Sequence, residues 1–95
     1  MKNPAHPGEL IRETLDELGV PITEAAKTLN ITRQQLHNLM AGRSAVTAEM
    51  AVKLEQALGS TADTWLRMQM NYDLAQVRKR ASTVRIKPIA PKVDA

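Results

Sequence analysis

Thr23-Glu24-Ala25-Ala26-Lys27-Thr28-Leu29-Asn30-Ile31-Thr32-Arg33-Gln34-Gln35-Leu36-His37-Asn38-Leu39-Met40-Ala41 is the most informative run in a chain of 95 residues. Thr23 is expected to cap a short helix over residues 24–29, whose Ala25-Ala26 pair leaves little side-chain bulk and lets another helix approach closely. Asn30 ends it, since asparagine tolerates the left-handed backbone of a tight turn, and Ile31 can plug the apolar space beneath. Thr32 then caps a further helix over residues 33–41, which Gly42 closes.

Two short helices joined by a turn of three or four residues, with small side chains at the crossing, form a helix-turn-helix pattern over residues 23–41. Its second helix has to be two-faced, packing on one side and lying in a major groove on the other, where each base pair has its own donor and acceptor pattern. At about 100° per residue, Leu36, Leu39 and Met40 point one way, and Gln34, His37, Asn38 and Ala41 the other. Gln34 and Asn38 each offer an acceptor and two donors to an adenine edge, while Arg33 and Arg43, at the two ends, reach guanine or phosphate. Gln35 sits to one side of that face.

Thr23, Thr32, Ser44 and Thr47 read first as helix caps, a role compatible with phosphate contact because a helix start offers free N–H groups to an anion. His37 has no His, Cys or carboxylate three or four residues further on, so it reads as a base or phosphate contact rather than a metal ligand. Its titration near neutral pH would make such a contact pH-sensitive.

Outward from this core, Pro7-Gly8-Glu9 opens a helix expected over residues 7–18, with Leu10, Ile11, Leu15 and Leu18 at helical spacing and Gly19 and Pro21 beyond its end. Thr47 is expected to cap a fourth helix carrying Met50, Ala51, Leu54, Ala57 and Leu58 up to Gly59. A fifth begins after Ser60-Thr61 and runs to about residue 80. It carries two apolar stripes, one of Trp65, Met68, Tyr72 and Ala75 and one of Leu66, Met70, Leu74 and Val77. One small domain covers a single stripe, so Leu66, Met70, Leu74 and Val77 are expected to form a homodimer face.

The length allows one domain, and a palette of Ala, Leu, Val, Ile and Met with no Phe favours helices. The expected architecture is therefore all-α: a DNA-binding and dimerisation domain over residues 1–80 and a basic tail over 81–95. With no cysteine and two histidines, His6 and His37, disulfides, a thiol nucleophile and the usual zinc sites are excluded. No nucleophile paired with a base and no phosphate loop is evident, so neither an enzyme nor a bound cofactor is expected. The first residues lack a signal peptide's apolar stretch, and no run approaches the roughly 18 apolar residues that span a bilayer. A cytoplasmic location without membrane contact is expected.

The net charge of +3 is unevenly spread, with seven basic against nine acidic residues in 1–77 and six against one in 78–95. In the tail, Val84-Arg85-Ile86-Lys87 alternates apolar and basic residues and can be read as a strand added to a partner's sheet. Two prolines forbid a helix there, and a terminal segment with no docking partner is expected to stay flexible.

Ala26, Asn30-Ile31-Thr32, Leu36 and Gly42 in these places resemble the Xre/Cro-type repressor family, five-helix, lambda-repressor-like DNA-binding domains. Two further strings, His6-Pro7-Gly8-Glu9-Leu10 and Trp65-Leu66-Arg67-Met68-Gln69 with Tyr72-Asp73-Leu74, are similar to the HigA-type antitoxins of bacterial toxin-antitoxin modules. The resemblance covers about residues 6–78. It implies a dimer that binds a palindromic operator in its own promoter and sequesters a HigB-type toxin, a small RelE-like ribonuclease that cleaves messenger RNA. A free-standing Xre-family repressor without a toxin is the alternative, and an interaction adaptor that has lost DNA binding is a second. Against the adaptor, the outward face of the third helix is rich in base-reading side chains and carries no acidic one.

Overall fold

A computed structural model of the chain describes residues 4–80 and 85–89. It has five helices in the order α1 (Pro7–Leu18), α2 (Ile22–Leu29), α3 (Arg33–Met40), α4 (Ala48–Leu58) and α5 (Ala62–Lys79), with no strand among the described residues. The first helix starts at the expected proline, where the missing N–H costs no hydrogen bond.

The first three helices end alike. Gly19, Asn30 and Gly42 take φ of 68°, 58° and 78°, and each end carries the paired backbone bonds of a Schellman turn. Val20 N donates to Leu15 O, Ile31 N to Ala26 O and Arg43 N to Asn38 O, at 3.0, 3.0 and 2.8 Å. Asn30 is the one non-glycine of the three, and its side chain makes the left-handed backbone affordable inside the helix-turn-helix turn. Ile31, half-buried, packs against the core beneath it.

One expected start is corrected. Thr23 does not cap α2: the helix begins at Ile22, its cap is Pro21, and no side chain bonds to its first turn. Proline already holds the extended conformation of a cap residue (φ −66°, ψ 152°), and its carbonyl receives the first helical bond from Ala25 N at 2.9 Å. Ser44 is not a cap either, because the helix after it is capped by Thr47, whose hydroxyl accepts from Met50 N at 3.2 Å. Thr32 and Thr61 cap α3 and α5 through their side chains.

The core joins all five helices. Ile11 and Leu15 come from α1, Ala25, Ala26 and Leu29 from α2, Leu36, Leu39 and Met40 from α3, Ala51 and Leu54 from α4, and Trp65 from α5, with Val46 from the preceding turn. Leu10 and Leu18 of the expected first stripe stay outside it, Leu18 being 61% exposed. The Ile11–Leu15 line points inward, so Leu10 lies one residue round the helix, and Leu18 falls on the final turn, beyond the region α1 covers.

Among the described residues two polar side chains, His6 and Gln69, are buried, and both tie turns to helices. Gln69 of α5 accepts the Val46 N–H at 2.8 Å and donates to Asp73 at 3.0 Å, fixing the α3–α4 connection onto α5. His6 accepts the Gly8 N–H through Nδ1 at 2.9 Å and so caps α1.

Of the tail expected over 81–95, residues 81–84 and 90–95, including Val84, lie outside the described residues. Residues 85–89 have neither helix nor strand, and Ile86 and Ile89 are exposed.

Candidate nucleic-acid interface

The α3 helix is held from both sides. Its inner side chains Leu36, Leu39 and Met40 are buried, and each buried Leu contributes roughly 1.5–3 kcal/mol relative to exposure. Its N-terminus carries a full capping box, in which Thr32 Oγ1 accepts from Gln35 N at 2.9 Å and Gln35 Oε1 accepts from Thr32 N at 2.8 Å. Gln35 thus has a structural task beyond the peripheral contact expected of it.

A third support comes from α1. A Cβ at Gly8 would overlap the carbonyl oxygen of Leu39, so the start of α1 lies directly on the α3 backbone and only glycine fits there. Pro7 beside it is fully buried. The paired small residues Ala25 and Ala26 bring α2 to the same core.

On the opposite side, Arg33, Gln34, His37 and Ala41 are exposed and Asn38 is half-buried, the division expected from helical spacing. Gln34, Asn38 and Arg43 come together as one cluster: Asn38 Oδ1 accepts from Gln34 Nε2 at 3.1 Å and from Arg43 Nε at 3.3 Å. Asn38 also holds the turn through its backbone, its carbonyl receiving Arg43 N and Ser44 N at 2.8 and 3.3 Å. Thr32 through Ser44 therefore present one continuous polar face with two arginines, two glutamines and an asparagine. Thr23 is exposed on the first turn of α2, a separate element.

Chemically, such a face is a set of neutral donors and acceptors flanked by cations. The acceptor of Asn38 is taken within the protein, which leaves its amide N–H groups and the Arg43 Nη groups to face a partner. No carboxylate interrupts residues 30–44, so a polyanion meets no opposing charge there. Among the described residues no three His, Asp or Glu side chains converge as metal ligands, and no helix is long and apolar enough to cross a membrane.

The second α5 stripe is where spacing put it. Leu66, Met70, Leu74 and Val77 are all exposed, Met70 by 51%, while Trp65 on the other face is buried with Nε1 donating to Gly59 O at 3.1 Å.

Sequence reasoning missed His6, Gly8 and Gln69. His6 was readable in part, since a proline at the first helical position marks the residue before it as the cap, yet imidazole is not among the usual cap side chains. The Gly8 contact depends on a residue 31 positions away and leaves no local pattern.

A helix-turn-helix with a polar outward face on its second helix is the architecture of a class of DNA-binding regulator, and residues 11–66 match the family model described as helix-turn-helix. The chain belongs to this helix-turn-helix family, of Xre type. It is 48% identical over 88 residues to virulence-associated protein A' of Dichelobacter nodosus, covering 90% of this chain and 76% of that protein. It is 34% identical over 80 residues to antitoxin HigA-1 of Vibrio cholerae, covering 83% and 75% of the two chains. The Pseudomonas aeruginosa antitoxin HigA, solved with the higBA promoter, superposes with a TM-score of 0.79 at 25% identity, covering 92% of this chain and 99% of that one.

Proposed function

We propose that this chain is the antitoxin of a type II toxin-antitoxin module, which represses its own operon as a dimer on a palindromic operator and neutralises a HigB-type, RelE-like mRNA-cleaving toxin by direct binding. The observation that carries the DNA half is the two-faced α3 helix, with Gln34, Asn38 and Arg43 joined at its outward end. Arg33, Gln34, His37, Asn38 and Arg43 are the principal operator contacts, with Gln35 at the edge. Thr23, Thr32 and Ser44 serve phosphate contacts from the ends of their elements. The toxin half is supported by likeness to antitoxins of the HigA family. The protein acts by binding and has no catalytic activity of its own.

Dimerisation through Leu66, Met70, Leu74 and Val77 would set two α3 helices into successive major grooves about 34 Å apart, giving an inverted repeat with half-sites about one turn apart. Growth of bacteria expressing the small reading frame beside this one, with and without this chain, tests the toxin half. Arrest that this chain relieves is the expected result. A harmless neighbour overturns the antitoxin reading and leaves the free-standing repressor.

A further inference from the structure

The geometry points to His6 as a positioning residue for the DNA-contacting helix: its neutral imidazole caps the start of α1, the segment that lies on the α3 backbone at Leu39 and Met40, and protonating it breaks that cap and weakens operator binding. This rests on the DNA-binding reading above.

One ring touches three parts of the fold. It is 6% exposed, and its Nδ1 caps α1 by accepting from Gly8 N. It meets Tyr72 of α5 edge-on, with centroids 4.9 Å apart at 79°. It lies against the backbone of Gly42, where an added Cβ would sit 3.5 Å from its Cγ. Because Nδ1 accepts, the neutral ring carries its proton on Nε2. A second proton would go on Nδ1, against the Gly8 N–H, so two donors would face each other and the cap would be lost. A cation at the positive end of α1 is unfavourable as well.

Burial lowers the His6 pKa below the ordinary histidine value, outweighing Asp73, the Ser44 backbone and Glu9, which favour the charged ring. The other charged or titratable groups nearby are Arg12 and Glu13, which with Glu9 and Tyr72 line an open cavity of about 370 Å³ beside the ring, and Arg43, which donates to Asn38. Since the folded state binds the proton less readily than the unfolded chain, the α1 cap is complete above the unfolded value of 6.5 and is lost as pH falls through the lower folded value.

The test compares the full chain with its His6→Asn variant, so that every other titrating group is common to both. Asparagine keeps a capping acceptor and an N–H but does not titrate. Affinity for the promoter duplex upstream of the chain's own reading frame is read by fluorescence anisotropy at constant ionic strength, from about pH 7.5 to about pH 5.5. Far-UV circular dichroism verifies at each pH that the protein is folded. The native chain should lose about tenfold more affinity than the Asn variant over this range. Equal pH slopes in the two proteins overturn the proposal. The amide NMR shifts of Gly8, Leu39 and Met40 are followed over the same range without DNA, and they should titrate together in the native chain only. If no duplex binds at any pH, the DNA-binding reading fails, while the amide titration still decides whether the His6 cap positions α3.

Discussion

Asn38 organises its neighbours before any partner arrives, because one carbonyl oxygen receives both Gln34 and Arg43. Asn38→Ala should therefore cost about 1–3 kcal/mol in operator affinity by fluorescence anisotropy. Combined with Gln34→Ala the loss should be less than additive, since the two side chains act as a unit. Additive losses would mean that each reads DNA independently. Gly8 makes the opposite point, since its importance lies in having no side chain. Gly8→Ala drives a Cβ into the Leu39 carbonyl and should lower stability by about 1–3 kcal/mol in thermal unfolding, with operator affinity falling as α3 shifts. At this scale the sequence was readable where a customary cap or turn residue acts on its own helix, as with Thr32, Thr47 and Asn30, and not where an imidazole does so, as with His6. Thr23 misled because Pro21 already supplied the geometry of a start, and Gly8 and Gln69 were silent because their partners are distant in the chain.

The α3 helix has eight residues, too few to persist alone in water, and exists because its neighbours hold it. Its capping box is the local contribution. Thr32→Ala removes the acceptor for Gln35 N and should cost about 0.5–2 kcal/mol by urea denaturation, with operator affinity falling alongside. Existence and order of all five helices followed from periodicity and punctuation, because Pro7, Gly19, Asn30, Gly42 and Gly59 mark ends whose backbone geometry few other residues adopt. Less legible was which apolar residues each helix buries. Leu10, Leu18 and Ala57 share the helical spacing of core positions, yet they are exposed, because helical spacing fixes a direction and not how far the neighbouring helix extends.

At the scale of the molecule, α5 faces two ways: Trp65 is buried in the core, while Leu66, Met70, Leu74 and Val77 are exposed. Met70→Glu should yield monomers by size-exclusion chromatography with light scattering and weaken operator binding, since two half-sites would no longer be held by one particle. An unchanged dimer would place the interface elsewhere. The two-stripe pattern was visible in sequence because a long helix samples every direction, whereas the meeting of His6 with Tyr72 of α5 and with Gly42 after α3 arises only once the helices are packed. Trp65 carries one more consequence. It is the chain's sole tryptophan, buried at the start of α5 with its indole N–H given to Gly59, so the intrinsic fluorescence of the folded protein should come from a dry, fixed site opposite the proposed dimer stripe. Its emission should shift to the red when the domain melts, giving a label-free optical record of unfolding that needs no engineered probe.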